Sequence, residues 1–206
     1  MFLDFTTLPP LTAYRWISST VIPRPVAWVS TCSAAGVSNL APFSYFQAVT
    51  AAPPTLMLSI GLKPDGLQKD TTRNIERTLE FVVNLVSFEQ AAAMNATSYA
   101  FEHGISEFEH CGIPSLPSTR VAPARVQGAP VAFECRLAAV HPYPVAQPTC
   151  HVILGEIVAA HIDERILNAE GRVDPMRLDL VGRMGGDWYT RTADEGNFEM
   201  KRPTTP

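Results

Sequence analysis

"GVSNLAPFSYF", Gly36 to Phe46, lies inside a run that carries no charged residue from Pro25 to Leu62. A membrane span would explain the avoidance of charge, but it needs about 20 mostly apolar residues in succession. Asn39, Pro42, Gln47, Pro53 and Pro54 interrupt the run too often for that. The segment therefore reads as folded core with neutral polar groups planted in it. Asn39 and Ser44 flank Pro42, a residue expected to break regular strand pairing and leave backbone N–H and C=O groups without a neighbouring strand. A flat heteroaromatic ring edged with donors and acceptors would satisfy such groups. A corner bonded to its own protein would satisfy them equally.

Outward from this stretch the pattern is mostly strand. "RPVAWVST", "SYFQAVT", "TLMLSIG" and "EFVVNLVS" are β-branched and aromatic runs, and "VAFECRLAAVH" and "CHVILGEIVAAHID" predict two long strands. "CSAAG" supplies a hairpin turn, and Pro53-Pro54 separates two of the strands. "KDTTRNIERTL" changes character and predicts a helix with Asp70 as its cap and Ile75 and Leu79 on its apolar face. Capping boxes at Ser87–Gln90 and Ser106–Glu109 predict two short helices. Residues 113–130, with four prolines, are expected to form an ordered surface loop. Mostly antiparallel β with outlying helices points to a barrel or sandwich.

At 206 residues, one domain spanning 1–206 is expected. The composition, 46% hydrophobic and 17% charged, suits a globular core. A net charge of −4 and a pI near 5.7 provide no basic stripe, which argues against nucleic-acid binding. Residues 1–10 show no cationic stretch leading into an apolar segment, so no secretory signal is read there, and no membrane association is expected. Cys32, Cys111, Cys135 and Cys150 form no C-x-x-C pair and read as reduced thiols of a cytoplasmic protein. His103, His110 and Cys111 lack finger or protease spacing, so no metal site is assigned.

"KDTTRN", Lys69 to Asn74, opens the predicted helix, where free N–H groups and the helix dipole suit an anion. Phosphate is the natural proposal; a capped helix start beside a solvated lysine is the alternative. The sequence contains no G-x-G-x-x-G after a strand, no G-x-x-x-x-G-K-[ST] and no G-x-S-x-G.

The order of these motifs, "IPRPVAWVST…GVSNLAPFSYF…PPTLMLSIG…KDTTRNIERTLEFVVNLVS…EFEHCGI", resembles the flavin reductase-like family of FMN-binding split barrels, from about Ile22 to Ile162. The resemblance implies a mainly β fold, a six-stranded antiparallel Greek-key split barrel with a few peripheral α-helices, binding FMN noncovalently at a homodimer interface. It implies that Asn39, Ala41, Pro42, Ser44, Tyr45 and Phe46 meet the isoalloxazine and ribityl chain, with Ser59, Ile60 and Gly61 contributing from the next strand end. Arg24, Lys69, Thr71 and Thr72 become the phosphate contacts, and Asp70 and Asn74 organise the helix start. His151 is placed to approach the flavin or a nicotinamide, or to be a satisfied barrel histidine. In "RMGGDWY", Trp188 or Tyr189 would cover the ring, or the tail would pack on the barrel. The activity implied is hydride transfer from NADH or NADPH to flavin, and electrons onward to free flavin, a metal complex, oxygen or a partner protein, with no catalytic side chain required. An FMN-holding electron carrier without nicotinamide chemistry is the alternative.

Overall fold

In a computed structural model, residues 1–193 and 195–203 are described; residue 194 and the last three positions of the expected domain lie outside them. Twelve strands occur among the described residues: β1 Arg24–Pro25, β2 Ala27–Cys32, β3 Ser38–Phe43, β4 Phe46–Ala51, β5 Pro54–Gly61, β6 Glu80–Leu85, β7 Ser115–Leu116, β8 Arg125–Val126, β9 Val131–Tyr143, β10 Cys150–Ile162, β11 Val181–Arg183 and β12 Tyr189–Arg191. Five α-helices, α1 Pro10–Thr20, α2 Asp70–Thr78, α3 Ala91–Ala96, α4 Glu107–His110 and α5 Pro175–Leu178, accompany them, with two 3-10 turns at Phe88–Gln90 and Glu164–Ile166.

The main sheet is antiparallel, in the order β3-β2-β6-β9-β10-β5-β4. Its two end strands, β3 and β4, are joined by Ser44 and Tyr45 alone. Laid flat, seven strands would separate those ends by about 29 Å, whereas the three Cα–Cα steps from Phe43 to Phe46 reach about 11 Å. The sheet must curl until its edges nearly meet, and the Ser59 N–H donates to the Tyr45 carbonyl at 2.8 Å across the closing corner. This is the mainly β split barrel that the resemblance implied. It has seven strands in the main sheet rather than six, because β4, exposed from Gln47 onward, pairs with β5 as an additional edge strand.

Ala27, Val29, Phe43, Phe46, Leu58, Ile60, Phe81 and Ile153 fill the barrel. Trp28, Leu40, Val86, Met94, Phe108 and Val181 form a second cluster outside β2 and β3. A strand covered on both faces needs no polar alternation, which is why "VAWVST" reads as an almost unbroken apolar run. The fully buried Trp28 donates its indole N–H to Thr97 Oγ1 at 2.8 Å.

Several local expectations are corrected. Pro42 does not break its strand: β3 runs through it. Leu40 turns its N–H away from β2, toward Glu107 Oε2 at 2.8 Å. Pro42, two residues on, shares that orientation, so its missing N–H costs no ladder bond. Asp70 is the first residue of α2 rather than its cap; Lys69 holds the cap position, without a capping side chain. Neither Ser87 nor Ser106 makes a side-chain capping bond. The proline-rich segment 113–130 is ordered by the β7–β8 pair and by the buried Glu134, whose carboxylate accepts from the Thr119 and Arg120 N–H groups at 2.7 and 2.5 Å. No described helix is long and apolar enough to cross a membrane.

Candidate functional site

One end of the barrel gathers most of the singled-out residues. On β5 and β10, Ile60 stands opposite His151, and both belong to the face that carries Leu58 and Ile153 into the core. His151 is 8% exposed; its Nε2 lies 3.2 Å from Gln68 Nε2, and its Nδ1 is buried without a partner among the described residues. Gln68 precedes Lys69, whose ammonium sits 5.5 Å from the centre of the Phe43 ring at the end of β3. Phe43 leads into the Ser44–Tyr45 corner, where Arg24 Nε donates to Ser44 Oγ at 3.4 Å and the guanidinium carbon lies 5.8 Å from the Tyr45 ring centre.

The charges differ in how they are compensated. Lys69 forms no ion pair among the described residues, and burial of its ammonium, aided by Lys63, lowers its pKa. A lysine so placed gains from an incoming anion. Arg24 also lacks a carboxylate, but its donors are largely committed: Nη1 to the Ser18 and Val21 carbonyls, Nη2 to the Met184 carbonyl. With Nε on Ser44, one of its five N–H groups is left over, so it ties α1 and β11 to the corner more than it offers a free phosphate clamp. In Asp70, burial pushes the carboxyl upward, yet the His103 hydrogen bond and the charges of Lys63 and Arg73 outweigh it and hold the pKa low. Tyr45 is pushed up by burial and by Tyr14, against the pull of Arg24.

In α2, Thr71 and Thr72 are both 1% exposed, and Thr72 Oγ1 is buried with no partner among the described residues. Asn74 donates to Thr31 Oγ1 at 3.1 Å, and Thr31 pairs with Asn39 in the ladder. Strand alternation separates some of the set. Asn39, Ala41 and Phe43 share the barrel face of β3, whereas Pro42 sides with Leu40. Likewise Ser59 and Gly61 alternate with Ile60, so those positions present backbone and side chain to different places. Tyr189 lines a separate cavity of about 480 Å³ between α3 and β11–β12, where Arg183 donates to its hydroxyl; Trp188 is exposed. Among the described residues, no three His, Cys, Asp or Glu side chains are placed to hold a metal ion, and all four cysteines are free thiols.

Gln68 and Arg77 were not singled out from sequence, Arg73 entered only as part of the 69–74 motif, and His103 only as a rejected metal ligand. The i, i+4 spacing of Lys69, Arg73 and Arg77 along one helix was the available signal for the two arginines. Nothing local marks Gln68 for the barrel mouth or His103 for the Asp70 cluster, and both meet their partners through loops.

The model for the flavin reductase like domain matches residues 18–177. An uncharacterised protein of Deinococcus radiodurans is 39% identical, over 98% of this chain and 89% of its own length. Nitrilotriacetate monooxygenase component B from Bacillus cereus superposes with a TM-score of 0.91 at 30% identity, covering 97% of this chain and 98% of that one. The 2-nitrobenzoate 2-nitroreductase of Pseudomonas fluorescens gives 0.88 at 31%, covering 99% and 97%. With this match across most of its length, the chain belongs to the flavin reductase-like family.

Proposed function

We propose that the chain, acting as one domain, is an FMN-dependent oxidoreductase. Bound FMN would supply hydride acceptance from NADH or NADPH and onward transfer of electrons to free flavin, oxygen, a metal complex or a partner protein. The observation that carries this reading is the coincidence, at one barrel mouth, of unpartnered polar atoms and an uncompensated cation: Thr72 Oγ1, His151 Nδ1 and the Lys69 ammonium. Buried polar groups without partners cost about 1–3 kcal/mol each, and a flavin phosphate and ring edge would satisfy groups of this kind.

Lys69, Thr71 and Thr72 would hold the phosphate, Ser44–Phe46 and the Ser59–Gly61 strand end would lie along the ring, and His151 would reach its edge. The absence of charge from Pro25 to Leu62 suits such a bed, since an unpaired ion beside a buried ring costs several kcal/mol. A homodimer with FMN at its interface fits the exposed apolar face of α1, where Leu11 and Tyr14 are 61% and 55% exposed, and the unpaired outer edge of β4.

The test is anaerobic titration of the flavin-loaded protein with NADH and with NADPH. Bleaching of the flavin absorption at turnover-like rates supports the enzyme. Bound flavin that neither nucleotide reduces points to the electron carrier, and a protein that refuses FMN at high micromolar concentration sinks both.

A further inference from the structure

A second cavity, of about 250 Å³, opens between the β2–β3 turn, the Asp70–Arg77 side of α2 and the loop at 103–105. Asn39 lines it while only 7% exposed, and its Nδ2 is buried without a partner among the described residues. A buried amide donor without an acceptor is costly in a folded protein. Arg77 also lines the cavity, is exposed, and forms no ion pair among the described residues. Arg73 and Lys63 share the single carboxylate of Asp70, with His103 against both Asp70 and Arg73. Two arginines, Arg73 and Arg77, thus line the cavity against the one acid Asp70. Glu107, a buried carboxylate outside the cavity lining, is committed to the Leu40 N–H. Ser33 and Ser38 add hydroxyls at the rim.

We propose that this cavity is an anion seat that takes the phosphate monoester of a nucleotide, bound by Arg77 and the Asn39 amide. A planar guanidinium matches phosphate oxygens in pairs, and Nδ2 supplies the buried donor. The seat is distinct from the one assigned to Lys69: Lys69 at the cap of α2 and Arg77 near its end are eight positions apart, about 12 Å along the helix axis. That span lets two phosphates bind along one helix. The choice of a nucleotide rests on the flavin reading above; the anion seat itself does not. With the FMN phosphate assigned to Lys69, Thr71 and Thr72, the group left for this seat is the 2′-phosphate of NADPH.

The test titrates wild type, Arg77→Ala and Asn39→Ala with 2′-AMP, inorganic phosphate, FMN and riboflavin, following heat or flavin fluorescence. We expect 2′-AMP to bind the wild type and to weaken about tenfold or more in Arg77→Ala, with recovery in part by Arg77→Lys and with FMN unaffected. Loss of FMN but not riboflavin affinity in Arg77→Ala would place the FMN phosphate itself in this cavity and overturn the second, distinct seat. Equal affinities for all four probes in wild type and both variants overturn the proposal, as does a wild type that binds neither 2′-AMP nor phosphate while FMN affinity ignores Arg77. A protein that refuses FMN and riboflavin alike fails the flavin reading alone, because 2′-AMP and phosphate still report on the cavity.

Discussion

The backbone N–H of Leu40 donates a 2.8 Å hydrogen bond to the carboxylate of Glu107, 67 residues further along the chain. Leu40 lies between Asn39 and Ala41, so this bond caps the free edge of β3 where the candidate flavin bed begins. Burial pushes the Glu107 pKa up, more than the Leu40 N–H lowers it. Below about pH 4 the folded and unfolded chains both hold the proton. As pH rises the unfolded chain releases it first, so stability falls between the two pKa values and flattens above them. Glu107→Gln should remove that decline from the curve of urea midpoint against pH. Glu107→Ala should cost about 1–3 kcal/mol by orphaning the Leu40 N–H. Parallel midpoint curves for wild type and Glu107→Gln would refute this assignment.

Glu134 should behave in the opposite sense. Burial raises its pKa, but the Thr119 N–H, His161 and the Arg120 N–H overcome it and hold the carboxylate below its ordinary value. Its contribution is present above the unfolded pKa and is lost as pH falls through the folded one. Glu134→Gln should therefore be destabilised at neutral pH and converge with wild type in acid. It should also raise amide exchange in the segment 118–122, which the carboxylate fastens to β9. Unchanged exchange there would contradict the fastening role.

Gly155 sits on β10 where a Cβ would run into the Phe81 ring. Phe81 is fully buried and cannot give way without opening the barrel core. Gly155→Ala should cost about 1–3 kcal/mol or more through overpacking, measurable as a lowered denaturation midpoint. The double variant Gly155→Ala/Phe81→Leu should recover part of the loss, since the two positions share one contact.

Strand content was legible because residues such as Val29, Phe81 and Ile153 are β-branched or aromatic and bounded by turn residues. Barrel closure was not legible from composition or spacing. It follows from a two-residue corner between strands that end up at opposite edges, and only the order of motifs implied it. Pro42 misled because its effect depends on which way the strand presents its N–H groups, a fact set by pairing with β2 rather than by the local run. Asp70 misled for a related reason: Lys63, Arg73 and His103 claim its carboxylate from three sides, leaving the cap to backbone alone. Lys69 was legible from the helix start, whereas Gln68 and Arg77 acquire meaning only when β10 and the β2–β3 turn are folded beside them.

Lys69 yields the most direct test of the flavin assignment. Burial, aided by Lys63, destabilises its charged form, so its pKa lies below 10.5 in the free protein. Binding a phosphate favours the charged form and raises that pKa. Affinity for FMN should hence fall as pH rises through the free-protein pKa of Lys69, where binding must also take up a proton. Riboflavin, lacking the phosphate, should show no such fall. Lys69→Ala should weaken FMN about 10- to 100-fold, the range expected for losing a hydrogen bond to a charged group. It should leave riboflavin nearly unchanged and abolish the alkaline limb. Fluorescence titrations of both flavins across pH read all three effects, and equal losses for FMN and riboflavin would remove Lys69 from the phosphate site.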